Sequence, residues 1–283
     1  MKHIVFYGNC QASAIADKLK LTNYIKHKVE CFSTDISKDD FVDLIKLCDV
    51  IITQHINDNY RNKDYLSTDF IINNVRKDCK IIIFDSCYFD FYYIDLKYLK
   101  INDNILHEPC DYHFHYMIKN YLNKKDVSFY INNFVNNSDL KSEDELNLLA
   151  CNSLNELYNR YVFVCDKYKL FNNVVVITCH QFILDNYKNH LLFYTMNHPT
   201  KYLFNHICDQ LIKLFLDNNI VINYESDPLS NNTRAIIYKC VQKCVSFDIS
   251  NYIVNVCGKA DLIKIVKLYY DVYNVKKIDD LDK

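Results

Sequence analysis

The sequence predicts an α/β protein, a parallel sheet flanked by helices with an inserted helical region. Two observations carry this reading. Residues 1–85 alternate short apolar runs with helical spacings, the pattern of β-α-β units. Half of the 283 residues are hydrophobic and 24% are charged, enough apolar material for a real core.

The elements follow in order. His3–Tyr7 reads as a buried strand, after which Ala12, Ile15, Ala16 and Leu19 fall on one helical face at i, i+3, i+4 and i+7. Val29–Phe32 reads as a second strand, and a helix through Phe41, Leu44, Ile45 and Leu47 is capped by Ser37. "DVIITQ" gives a third strand, "STDFIINNV" a capped helix and "KIIIF" a fourth strand. Together these make a three-layer sandwich of the Rossmann or SGNH kind. Ligands in such folds gather beyond the carboxyl ends of the strands. Three compact polar sets stand there: Gly8-Asn9-Cys10-Gln11, Thr53-Gln54-His55 and Asp85-Ser86-Cys87.

Beyond Tyr88 the pattern turns aromatic and irregular in "FDFYYIDLKYL", and "HEPCDYHFHYMIKNYL" runs into a helix. "NNFVNNSDLKSED" reads as an exposed loop, and a long helical pattern with a break covers Glu143 to Tyr168. "NVVVIT" and "HLLFYT" read as strands, with the short helix "HQFILDNYKN" between them. Leu203, Phe204, Ile207, Leu211, Leu214 and Phe215 give an amphipathic helix from Thr200, and a last helix runs from Lys259 to Tyr273. The expected organisation is a single domain over 1–283: a β/α half at 1–88, a mostly helical insertion at 89–170 and a β/α completion at 171–283.

A formal net charge of −2 offers no basic face for nucleic acid. The thirteen cysteines show no C-x-x-C spacing, and no apolar run approaches the roughly 20 residues of a membrane span. The expectation is a cytoplasmic protein without membrane insertion, its thiols mostly small buried hydrophobes. Two glycines, three prolines and no tryptophan match the bias of an AT-rich genome. The glycines that remain therefore have positional reasons.

Gly8 permits a tight exit from the first strand, and the helix that follows directs free amides into a cleft. Such donors hold a phosphate, a thioester oxygen or an oxyanion, and the macrodipole favours a thiolate at Cys10. A turn glycine followed by a buried cysteine fits the spacing equally well. His198, between a strand and the amphipathic helix with Pro199 beside it, reads as an exposed histidine. Its ordinary pKa near 6.5 suits either a general base or a plain surface residue. His113 and His115 lack a third ligand at recognisable spacing, so no metal site is expected. Tyr88, Phe89, Tyr92 and Tyr93 read as packing or as a sugar-stacking surface.

Taken together, "GNCQA", "VIITQ", "YHFHYMIKNYL" and "FILDNYKNHLLFYTMNHPT" resemble the WcbI-like polysaccharide-biosynthesis acetyltransferases over residues 3 to about 245. "GNCQ" and "LFYTMNHP" are the sharper parts. The middle segment departs from the family pattern at Tyr112-His113-Phe114-His115. The resemblance implies coenzyme A as carrier and acetyl transfer to a sugar, an amino sugar on a nucleotide being the expected acceptor. It places the thioester end at Gly8, Asn9, Cys10 and Gln11. Among the rim residues, Gln54 reads as a contact to the coenzyme or the sugar or as a loop-ordering residue, and Lys201 and Arg234 as contacts to the coenzyme's phosphates or as ordinary exposed cations. His198 is then the base, Cys10 and Gln11 the oxyanion donors, and Asp85, Tyr88, His113 and Asn197 the acceptor contacts. Asp85 is alternatively the residue that orients His198. Two rival readings share the same residues: an SGNH-like esterase or deacetylase, and a non-catalytic glycan- or nucleotide-binding module. Oligomeric state is not legible.

Overall fold

The computed structural model describes residues 1–215 and 220–278. The chain divides into two compact units. The first comprises residues 1–87, 154–185 and 199–228, and the second residues 88–153, 186–198 and 229–283.

The first unit holds a five-stranded parallel sheet. Its strands are β1 (Lys2–Gly8), β2 (Tyr24–Glu30), β3 (Val50–Gln54), β4 (Lys80–Phe84) and β5 (Val174–Ile177), in spatial order β2-β1-β3-β4-β5. All the pairings are parallel, with Ile4 opposite Lys26 on one side of β1 and Val50 on the other. The fully buried runs of β1, β3 and β4 are what a sheet covered on both faces requires. Val5 and Tyr7 pack with Phe41 and Ile45 of α2 (Lys38–Leu47) and Ile71 of α3 (Thr68–Asn74). Ile4 and Phe6 point the other way, as the period of two dictates. Ser37 and Ser67 cap α2 and α3 by accepting from Asp40 N and Phe70 N.

This strand order reverses direction between β1 and β3. Such a topological switch point leaves a crevice at the carboxyl ends of the two strands. Gly8 and Gln54 stand at its lips.

Two elements differ from their sequence readings in the first unit and at its boundary, and a third agrees. The second strand is Tyr24–Glu30 and not Val29–Phe32. It lies at the sheet edge and pairs only with β1, so it carries Lys26, His27 and Lys28 where an apolar run was sought. The long helix α4 (Glu143–Tyr168) runs 26 residues without a break. Ser142 and Glu145 cap it reciprocally, each backbone N–H donating to the other's side chain, and its interior has neither glycine nor proline. After α5 (His180–Asn186), the amphipathic helix expected from Thr200 is α6 (Lys201–Phe215).

The second unit combines helices with small antiparallel ribbons. Leu96–Tyr98 pairs with Tyr112–Phe114, and Lys100–Ile101 with Asn104–Ile105. Phe193–Thr195 turns back through Met196 and Asn197 onto His198. Phe89, Phe91, Tyr92 and Tyr93 are all buried, so the aromatic run is packing; Tyr92 and Tyr93 donate to backbone carbonyls of Tyr187 and Phe193. Part of the expected loop near Asn132 is instead a helical turn, Val127–Tyr130 continuing into a wider turn to Val135. The last helix spans Leu262–Lys276, three residues later than expected. Asp261 caps it, and Gly258 (φ +74°) occupies the turn before it.

Candidate functional site

Gly8 closes β1 with φ +155°, and a β-carbon there would meet Gln54 Oε1 at 2.6 Å. That oxygen accepts the Asn9 N–H at 2.8 Å. The glycine is thus required by the close approach of the β3 terminus. Asn9 then caps α1 (Cys10–Lys18), its Oδ1 accepting the Gln11 N–H at 2.8 Å. The Gln11 side chain is fully buried and braces the loop after β4: its Nε2 donates to Cys87 O at 2.9 Å, and Cys87 N–H donates to its Oε1 at 3.0 Å. Gln54 Nε2 completes the lattice with Ser86 Oγ at 3.1 Å and Gln11 Oε1 at 3.3 Å. Three strand ends are locked by two amides.

This corrects two expectations. Neither the Gln11 side chain nor its backbone N–H is free to stabilise an oxyanion, because Cys87 and Asn9 engage them. Cys10 is half-buried, and its thiol is pushed up to about 11. Burial dominates and the Glu30 carboxylate adds to it, against the opposing pull of the Cys10 and Gln11 backbone amides. At neutral pH it is a thiol, so the macrodipole loses to desolvation.

Two cavities open along this rim. A smaller one of about 180 Å³ sits at the switch point, lined by Asn9, Cys31, Gln54, Tyr60 and Ser86 among others and by no carboxylate. A larger one of about 350 Å³ adjoins it through the shared residues His55, Asn57 and Ser86, and adds Asp85, Arg160, Tyr161 and Phe163. Asp85 is buried and its carboxyl is raised to about 6 by desolvation. Its Oδ2 accepts the Cys179 N–H at 2.7 Å and Thr178 also bonds it, so Asp85 orders the turn after β5 instead of an imidazole.

In the second unit, His198 belongs to a polar chain. Asn197 donates through Nδ2 to the Tyr98 hydroxyl at 2.9 Å and accepts at Oδ1 from the Tyr112 O–H at 2.6 Å. With that proton committed, the Tyr112 oxygen accepts from His198 Nε2–H at 3.1 Å. The imidazole lone pair then falls on Nδ1, a shielded atom with no hydrogen-bond partner among the described residues. Contrary to the sequence reading, His198 is half-buried, and desolvation lowers its pKa to about 4, Asp111 opposing weakly. It lines a cavity of about 290 Å³ with Cys110, Asp111 and Tyr112.

The sequence profile of the family described as polysaccharide biosynthesis enzyme WcbI matches residues 3–215. The chain belongs to the WcbI family. A solved structure described as WcbI, a novel polysaccharide biosynthesis enzyme, superposes with a TM-score of 0.79 at 20% identity, covering 99% of this chain and 94% of that one. That structure is of the native protein without a disulfide bond between coenzyme A and one of its cysteines. At that identity the likeness is one of fold. No curated protein matches the chain.

Several other candidate residues of this WcbI-family site have structural partners of their own. His113 is buried, within 3.1 Å of both the Tyr273 hydroxyl and Leu106 O, and desolvation lowers its pKa to about 4; it is an interior brace and not a sugar contact. Lys201 pairs with exposed Glu225 at 2.9 Å, a surface contact worth little. Arg234 lies over the Tyr194 ring and donates to Ser230 O. Tyr88 is half-buried at the start of the second unit. His115 is exposed at the start of the helix His115–Leu122. Arg160, Tyr161 and Phe163 were not anticipated at all. Among the described residues no cluster of three His, Cys, Asp or Glu is placed to hold a metal, and no helix is long and apolar enough to cross a membrane.

Proposed function

We propose that this WcbI-family protein transfers an acetyl group from coenzyme A to a sugar, the acceptor being an amino sugar on a nucleotide carrier. One observation carries the reading: in a chain of this family, the Gly8–Gln11 turn stands at the helix N-terminus beside the topological switch point. The residues there suit a thioester, since the adjoining cavity is polar and free of carboxylates. The solved WcbI structure is named for the absence of a disulfide between coenzyme A and one of its cysteines, which is consistent with a coenzyme thiol lying close to a cysteine and supports looking for the coenzyme's sulphur near Cys10.

Coenzyme A when bound supplies the acyl group as a thioester. Asn9 and Gln54 border the crevice, and the Cys10 backbone N–H is the remaining donor for the thioester oxygen. As the C–N or C–O bond forms and the C–S bond breaks, the acceptor's proton passes to a base and then to the departing thiolate; His198 is the residue whose chemistry suits that role, its neutral imidazole keeping a lone pair on Nδ1. Tyr112 and Asn197 hold the proton on Nε2. A thiol with a pKa near 11 is a poor nucleophile at neutral pH, which favours direct attack by the acceptor over an acylated Cys10.

The test is mass spectrometry of acetyl-CoA with a panel of nucleotide-linked amino and neutral sugars. The expected product is one acetylated sugar per coenzyme A released. Acetate released without an acceptor would replace this reading by hydrolysis. Independently, coenzyme A at about 100 times its Kd should stabilise the protein by about 2.7 kcal/mol.

A further inference from the structure

The larger cavity of the first unit carries chemistry that the scheme above does not use. Arg160 lines it, and its Nε and Nη2 are shielded from solvent with no hydrogen-bond partner among the described residues. These two nitrogens form one edge of the guanidinium, with parallel N–H vectors that match two oxygens of a single anion. Glu156 lies 3.7 Å from Nε, beyond hydrogen-bond reach, and is largely exposed. Asp85 lines the same cavity, with its carboxylate engaged by Cys179 and Thr178. His55 contributes a third shielded nitrogen without a hydrogen-bond partner among the described residues, Nε2. Buried donors left without a hydrogen bond are costly, and beyond the Glu156 ion pair at 3.7 Å this wall offers Arg160 no acceptor, which favours one brought by a ligand.

The rest of the lining suits a carbohydrate ring. Phe163 lines the cavity while 56% exposed, standing edge-on to His55 at 5.7 Å, with Tyr161 beside it. Ser86 and Asn57 add polar contacts. A volume of about 350 Å³ lies near the lower end for ligand pockets and holds one pyranose with a charged substituent. The Arg160 side chain is 42% exposed and therefore free to turn its unpartnered edge onto a ligand.

We propose that this cavity is the acceptor pocket and that it selects a sugar bearing an oxyanion, carboxylate or phosphoryl, held by Nε and Nη2 of Arg160. The proposal rests on the acyltransferase reading for the word acceptor, and on the cavity alone for the anion. Ser86 links the two sites, since it lines both cavities and accepts from Gln54.

Calorimetric titration of the full chain with D-glucuronate, D-glucose 1-phosphate and D-glucose tests it. At least one anionic sugar should bind about tenfold or more tightly than glucose, and Arg160→Gln should erase that preference while the thermal shift by coenzyme A persists. Equal binding of glucose and both anions, or no binding of either anion, would overturn the proposal. So would a variant that loses the coenzyme A shift but keeps the sugar preference, which would assign the guanidinium to the coenzyme's phosphates. Should Arg160→Gln fail to fold, the wild-type comparison alone decides. Anion preference without any acetyl transfer would sink the acyltransferase reading and leave the pocket standing; transfer to neutral sugars with no anion preference would do the reverse.

Discussion

Gln54 Oε1 occupies the space that a side chain on residue 8 would need, 2.6 Å from the position of its β-carbon, while accepting the next residue's N–H. Gly8→Ala forces these apart in a conformation that L residues rarely adopt. The expected cost is about 1–3 kcal/mol, read as a lower urea midpoint at unchanged slope. The thermal shift by coenzyme A should shrink with it.

Gln11 offers a sharper test because its amide uses both ends on Cys87. Gln11→Glu keeps the acceptor but turns an oxygen toward the Cys87 carbonyl, at about 1–3 kcal/mol at pH 7. That buried carboxyl regains a donor when protonated, so its folded-state pKa is raised. The penalty should therefore fade as pH drops toward 5, and urea melts at pH 7 and 5 compare the two.

His198 with a pKa of about 4 is neutral across the usual assay range. The proposed transfer should then give kcat/KM without the fall near pH 6.5 that an ordinary histidine base produces. His198→Ala should reduce turnover by about 10²–10⁴ with coenzyme A binding retained. Tyr112→Phe removes the acceptor for Nε2–H and should lower kcat about tenfold with KM little changed, and it should steepen the pH dependence.

His113 predicts a stability effect independent of activity. Its folded-state pKa of about 4 lies below the unfolded value near 6.5, so its contribution is complete above pH 6.5 and is lost as pH falls toward 4. The loss is on the order of 3 kcal/mol once both states are protonated. Asp95, raised to about 7, and Asp85, raised to about 6, carry the opposite sign and gain on protonation over an overlapping range. Comparing wild type with His113→Gln cancels both carboxyls. The variant should show the flatter acid limb in urea melts between pH 7 and 4.

Much of the first unit was legible because β1, β3 and β4 are buried on both faces and read as apolar runs. β2 was not, since an edge strand needs only one apolar side and here spends its middle on Lys26, His27 and Lys28. Gly8 announced itself through scarcity. The same logic applies to Arg160, in a chain that nearly always chooses lysine, yet a helix position says nothing of the strand ends it will meet. Gln11 was read at the right place with the wrong employment: a glutamine that braces a loop and one that faces a ligand look alike until the loop is located. His113 was misjudged because its strand partner, Leu96–Tyr98, hides in an irregular aromatic stretch.

The guanidinium edge of Arg160 also bears on how the molecule is handled. Two parallel N–H groups without a hydrogen-bond partner among the described residues gather whatever tetrahedral or planar solute is abundant, so on the proposal above sulfate, phosphate or acetate in a buffer competes with the sugar. Apparent affinities measured in such solutions will be too weak in proportion to the additive. Chloride-based or zwitterionic media are therefore the conditions for testing the proposed sugar preference.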